Sequence, residues 1–179
     1  MRVISGSLKG RRFNPTGNLN VRPTTDFAKE SLFNIINNNF DFEDLKVLDL
    51  FAGTGNISFE FISRGCISVT SIEGNHKCTD FIKKTCQEYD IKNLQAVKTN
   101  VFSYLKFITT PFDMIFADPP YDMEDIETIP TIVFKKNLLN KGGWLIIEHS
   151  RSVNFENHPN LVQHRMYGKV NFSFFSPVE

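Results

Sequence analysis

The chain has 179 residues, 41% of them hydrophobic, which is enough for one compact domain with a core and excludes a disordered polymer. Twenty basic and twenty acidic side chains balance to a formal charge of zero, which argues against indiscriminate nucleic-acid binding. No apolar run reaches bilayer length, the first residues lack a signal-peptide pattern, and Cys66, Cys78 and Cys86 are odd in number without ligand spacing, so a cytoplasmic protein with reduced thiols, no membrane contact and no metal is expected.

Residues 1–14 alternate weakly and predict a small β-hairpin with its turn near Ser7–Gly10. The first 22 residues carry Arg2, Lys9, Arg11, Arg12 and Arg22 and no acid, a local +5 patch able to contact phosphates. Residues 15–23, with Pro15, Gly17 and Pro23, read as a loop. A helix is expected from Thr24 to Asn38, with Ala28, Leu32, Ile35 and Ile36 on one face and Thr24, Thr25 or Asp26 as its cap.

Strands and helices then alternate. Strands are predicted at Lys46–Leu50, Ser68–Glu73, Leu94–Thr99, Phe112–Ala117 and Trp144–Glu148, and helices at Ile57–Arg64, His76–Tyr89, Phe102–Phe107 and Asp125–Asn137. This order implies a parallel sheet with helices on both faces, an α/β fold. Little helix is evident between Glu148 and Leu161. Leu161–Tyr167 and Val170–Phe175, separated by Gly168-Lys169, predict a closing antiparallel hairpin.

The chemistry gathers at two strand ends. Val47-Leu48-Asp49-Leu50-Phe51-Ala52-Gly53-Thr54-Gly55 is a strand, a glycine turn and a helix start, a place to hold a nucleotide-like ligand. Gly53 and Gly55 let the backbone approach that ligand. Glu73, ending the next strand 24 residues after Asp49, can accept from two ribose hydroxyls. Asn100 could bond an adenine amino group and the Val101 N–H a ring nitrogen, although a turn-forming Asn explains the residue equally well. The Asp49-to-Gly55 pattern with a ribose-type acid resembles S-adenosylmethionine (SAM) methyltransferases. It fits a dinucleotide motif poorly, because Ser58 stands where the third glycine belongs.

Asp118-Pro119-Pro120-Tyr121 matches the Asp/Asn-Pro-Pro-aromatic motif of enzymes that methylate amino or amide nitrogens on planar groups. An exocyclic amine is a poor nucleophile because the ring delocalises its lone pair. The Asp118 carboxylate and the Pro119 carbonyl can accept its N–H groups and favour the pyramidal, cationic nitrogen of the transition state. The two prolines fix where those acceptors point, and Tyr121 offers a ring for stacking.

The chain as a whole resembles the RsmD family of bacterial 16S ribosomal RNA guanine-N2 methyltransferases. The resemblance rests on Met1-Arg2-Val3-Ile4-Ser5-Gly6 with Lys9-Gly10-Arg11, on Arg22-Pro23-Thr24 followed by Leu32-Phe33-Asn34, and on the glycine, Glu73 and Asp118-Pro119-Pro120-Tyr121 motifs. It implies a Rossmann-like seven-stranded sheet at 41–179 with a basic hairpin-and-helix extension at 1–40. It also implies SAM as donor, S-adenosylhomocysteine as product and no metal. The acceptor would be a guanine of the guanine-966 type, in 16S rRNA of the small subunit or its assembly intermediate. Asp49, Phe51, Ala52, Gly53, Thr54, Gly55, Glu73, Asn100 and Val101 would hold the cofactor. Asp118, Pro119 and Tyr121 would be catalytic, and Arg22, Thr24, Pro120, Arg11 and Arg12 would contact RNA. Two positions depart from the family pattern: Asn100 replaces an acid, and Asn56 replaces a small residue. Nothing in the sequence suggests more than a monomer. The rival readings are an adenine-N6 or other exocyclic-amine methyltransferase acting on DNA or another RNA, and a non-catalytic ribosome-binding protein that kept the fold.

Overall fold

The computed structural model describes residues 1–15 and 25–178. Arg22 and Thr24, expected at the site entrance, lie outside the described residues. Helix α1 (Asp26–Asn37) is capped by Thr25, whose side chain accepts from the Ala28 N–H. The alternation follows as β1 (Lys46–Leu50), α2 (Asn56–Ser63), β2 (Ser68–Glu73), α3 (His76–Glu88), β3 (Leu94–Lys98), α4 (Val101–Phe107), β4 (Phe112–Ala117), α5 (Thr128–Lys135), β5 (Leu139–His149), β6 (Leu161–Tyr167) and β7 (Val170–Phe175).

These strands form one sheet in the order β3-β2-β1-β4-β5-β7-β6. The β3-β2-β1-β4-β5 part is parallel, and β7 runs antiparallel between β5 and β6. The period-2 alternation of each strand sorts the apolar side chains between two layers. Val47, Met114, Phe116, Ile146 and Phe172 face α1, α2 and α3. Leu48, Leu50, Ile115, Ala117 and Ile147 face α4 and α5. Strand order reverses between β1 and β4, so the loops leaving these two strands diverge and open a crevice at their C-terminal ends.

Helix α5, strand β5 and the N-terminal hairpin depart most from expectation. Helix α5 spans Thr128–Lys135 inside the expected 125–137, and Pro130 lies in its first turn, where no intrahelical N–H is needed. Strand β5 starts at Leu139, five residues before Trp144. Its first part is tied to β4 by the Asn140 amide, which donates to Asp113 Oδ1 at 2.6 Å. Gly143 runs so close to β4 that a Cβ there would lie 2.7 Å from the Asp113 carbonyl oxygen. The expected N-terminal hairpin has one bridge, Arg2 to Arg12, with the Val3 N–H donating to Arg11 O at 3.0 Å.

Polar anchors compensate for that thin pairing. The buried Glu60 carboxylate of α2 accepts from the Ile4 and Ser5 N–H groups at 2.8 and 3.1 Å, and from Arg64 Nε at 2.9 Å. Ser63 Oγ accepts from the Leu8 N–H, and its carbonyl accepts from the Ser7 N–H. Gly6 takes φ 79 against that same carbonyl, where an added Cβ would stand 1.7 Å from the oxygen. Val3 and Phe13 insert into the core between these anchors.

Candidate active site

The glycine loop is built from a left-handed backbone. Phe51, Gly53 and Gly55 take φ of 62, 54 and 82. For Phe51 this is a costly conformation, on the order of 1 kcal/mol or more, held because its ring packs on the α4–α5 layer. At Gly55 a side chain is excluded twice over, by φ and by Phe59, whose ring would lie 2.9 Å from an added Cβ.

Asp49 stands beneath this loop, turned inward. It is buried, and its carboxylate accepts from Ser58 Oγ, which in turn lies 2.6 Å from Ser71 Oγ. Burial, with a smaller contribution from Glu73, pushes the Asp49 carboxyl up to about 7, against the opposing bonds from Ser58. Asp49 therefore fixes the start of α2 to β1 and β2 from below, while the loop itself faces the crevice.

Glu73 projects from the tip of β2. Its Oε2 accepts from the Gly53 N–H at 2.7 Å and its Oε1 from the Asn75 N–H at 2.7 Å. Each oxygen keeps a second lone pair, so the carboxylate can still take two hydroxyl donors. At the tip of β3, Asn100 caps α4 by accepting from the Ser103 N–H at 3.1 Å. The Val101 N–H, in the first turn of that helix, has no intrahelical acceptor. A nucleoside with a vicinal diol and a ring acceptor fits these groups: the Glu73 carboxylate to accept from the diol, the Val101 N–H to donate to the ring, and Gly53–Gly55 where the backbone must come close. Asn56 also has a structural reason. Its Oδ1 accepts from Lys29 Nζ at 2.8 Å, tying α1 to the first residue of α2. Lys29 is fully buried, and burial lowers its pKa against the raising effect of Glu60.

Across the crevice, β1 and β4 pair Leu50 with Ala117, so Asp118 leaves β4 beside the glycine loop. The Asp118 carboxyl is held well above the usual carboxylate range, by burial first, then by Glu148 and Asp49. Pro119 is buried, Pro120 is exposed, and Tyr121 is 39% exposed with its hydroxyl 3.5 Å from Glu148 Oε1. Glu148, at the end of β5, is the residue that sequence reasoning missed. Its signal was positional: it is the penultimate residue of the strand next to the one that Asp118 follows.

Arg11 and Arg12 are exposed on the N-terminal arm, and the Arg11 guanidinium lies 5.5 Å from the centre of the Tyr89 ring. All three cysteines are free and buried, and burial pushes Cys66 up to about 12 and Cys86 up to about 11. They offer no thiolate near neutrality. Among the described residues, no cluster of three or more His, Cys, Asp or Glu side chains could hold a metal ion, and no helix is long and apolar enough to cross a membrane.

The family described as Conserved hypothetical protein 95 matches residues 1–176 of the chain. The chain is similar to the Ribosomal RNA small subunit methyltransferase D of Buchnera aphidicola subsp. Baizongia pistaciae, with 30% identity over 99% of this chain and 92% of that protein. Among solved structures it is similar to yhhF of Escherichia coli, with a TM-score of 0.85 and 26% identity over 98% of this chain and 97% of the other. The T. thermophilus 16S rRNA N2 G1207 methyltransferase (RsmC), solved with AdoMet and guanosine, shares the fold. Its TM-score is 0.70 at 19% identity, over 86% of this chain and 43% of that one.

Proposed function

The chain belongs to the RsmD family of ribosomal RNA small subunit methyltransferases, and from that premise we propose that it methylates the N2 amine of a guanine in 16S rRNA, of the guanine-966 type, in the small subunit or its assembly intermediate. One observation carries the reading. The Gly53–Gly55 loop, pinned by Glu73, and the Asp118-Pro119-Pro120-Tyr121 turn leave neighbouring strands of the sheet. The relative that shares the fold and was solved with AdoMet and guanosine supports the same pairing of donor and acceptor.

SAM supplies an electrophilic methyl group when bound. Glu73 orients the ribose of that ligand, and the Gly53–Gly55 backbone leaves room for it. Asp118 and the Pro119 carbonyl accept the two N–H groups of the amine and turn the nitrogen lone pair toward the crevice. Positive charge developing on the amine nitrogen would be stabilised by the Asp118 carboxylate. Its raised proton affinity suits it to take the proton that the nitrogen then loses. With the thiols buried and protonated, transfer is direct, without an enzyme-bound covalent intermediate.

The test uses tritiated SAM with small ribosomal subunits, naked 16S rRNA and DNA from a strain lacking the gene, followed by mass spectrometry of the labelled nucleoside. N2-methylguanosine at one 16S site is the expected product. N6-methyladenosine, or label in DNA, would move the enzyme to the rival exocyclic-amine class. No transfer to any acceptor, together with no SAM binding, would favour a non-catalytic relative.

A further inference from the structure

We propose that Glu148 is the second acceptor of the substrate pocket and selects guanine by reading the proton on its N1. The inference rests on the guanine-N2 reading above and deepens it.

The register of the sheet sets the geometry. β4 and β5 run parallel with Ala117 opposite Ile147, so Asp118 and Glu148 are the next residues of neighbouring strands and project to the same face. Glu148 is 3% exposed. It lies close enough to Asp118 to raise that carboxyl, and its Oε1 is 3.5 Å from the Tyr121 hydroxyl. A second carboxylate is therefore held at the base of the amine pocket, on the side from which Tyr121 covers it.

A half-buried and a buried carboxylate held side by side repel one another when both are ionised, and a ligand edge with two adjacent donors relieves that repulsion. The Watson–Crick edge of guanine presents two adjacent donors, N1–H and the N2 amine. Adenine and cytosine present an amine beside a ring nitrogen that carries a lone pair instead. With Asp118 on the amine, Glu148 meets N1–H in guanine and a lone pair in the other two. A buried acceptor facing a lone pair loses its hydrogen bond and is repelled, which makes for strong rejection. The same motif turn thus serves an amine of either kind, and the neighbouring strand chooses the base.

The experiment uses two synthetic 16S-derived RNAs carrying guanine or 2,6-diaminopurine at the target position. Both keep the N2 amine, and only guanine has a proton on N1. The wild type is expected to prefer guanine by at least about 100-fold in kcat/KM. In Glu148→Gln the side-chain amide can accept from N1–H or, turned over, donate to the lone pair. The preference is expected to fall to within about threefold of unity, with the methyl group still on N2. Equal use of both RNAs by the wild type, or an unchanged preference in the variant, overturns the proposal while leaving the guanine-N2 reaction intact. Label recovered as N6-methyladenosine overturns the guanine reading and this proposal with it. Should Glu148→Gln not fold, Glu148→Asp retains the charge and withdraws it by one methylene. It is expected to lower kcat/KM on the guanine RNA at least about tenfold with SAM affinity unchanged, and an unchanged kcat/KM there also overturns the proposal.

Discussion

Glu73 reaches across from β2 to hold the Gly53 N–H at 2.7 Å, so the carboxylate proposed for the ribose also sets the shape of the glycine loop. Glu73→Ala removes the acceptor for two backbone donors and for the diol together. Hydrogen bonds to charged groups contribute about 1.5–3 kcal/mol each, so the SAM Kd is expected to rise at least about tenfold, read by calorimetry. Glu73→Gln keeps an oxygen for Gly53 and should lose less. If the alanine variant bound SAM normally, the ribose assignment would be wrong.

Asp118→Ala is expected to lower kcat by at least about 100-fold while SAM affinity stays within about threefold of wild type, because the amine loses its orienting charge while Glu73 and the Gly53–Gly55 backbone are unchanged. The pH profile follows from the raised Asp118 carboxyl. Turnover needs the ionised form, so kcat/KM should climb with pH over a range above that of an ordinary carboxylate, and Asp118→Asn should flatten that limb. A wild-type profile flat from pH 5 to 8 would contradict this.

Asp49 gives a stability prediction of the opposite kind. Its folded-state pKa of about 7 lies above the unfolded value, so between roughly pH 4 and 7 the folded protein binds the extra proton, and stability falls as pH rises. Asp49→Asn cannot titrate and keeps an oxygen for Ser58. Relative to wild type, it should gain about 2 kcal/mol between pH 5 and pH 7 in urea unfolding. Parallel pH curves for the two proteins would show that Asp49 is not perturbed in this way.

Gly6 and Gly10 separate steric from conformational cost. Both have φ near 80, yet a Cβ at Gly6 meets the Ser63 carbonyl and one at Gly10 meets nothing within 4 Å. Gly10→Ala should cost about 1 kcal/mol for its backbone alone. Gly6→Ala should cost about 3 kcal/mol or more, since the arm must leave α2 to admit the methyl group. Equal losses in denaturant melts would mean that the arm moves freely.

Local rules carried most of the fold. Alternation between strand and helix periodicities located all but the first residues of β5, and Gly53, Gly55 and Asp118 announced the crevice because their chemistry is written in adjacent residues. Longer-range relations were not visible. Glu60 and Ser63 read as ordinary polar positions of a short helix, and only the folded chain shows them receiving backbone donors from residues 4–8. Leu139–Gly143 lacks a strand's apolar pattern, and it pairs because Asp113 on β4 supplies acceptors for it. Asn100 read as a turn-forming residue or as an adenine ligand, and the bond the structure forms caps α4. Glu148 was hidden because its neighbour Asp118 is thirty residues away in sequence and one strand away in space.

The arm also changes how the basic patch is to be tested. Val3 and Phe13 are part of the core, so deleting the arm would unfold more than it removes. Lys9, Arg11 and Arg12 are exposed, and replacing all three with Ala should leave SAM affinity unaltered and weaken rRNA binding. The slope of log affinity against log salt should fall by about 0.7–0.9 for each phosphate that the protein no longer neutralises. An unchanged slope would place the RNA elsewhere.

Strand β7 lies between β5 and β6 although it follows both in the chain. During synthesis β6 therefore emerges with no neighbour to pair with and waits for residues 170–175 before it can join the sheet. β5, whose end carries Glu148, stays an open edge over the same interval. The sheet around Asp118 and Glu148 is thus completed only once residue 175 has cleared the ribosome. A nascent chain stalled before that point holds Glu148 on an edge strand that β7 has not yet paired.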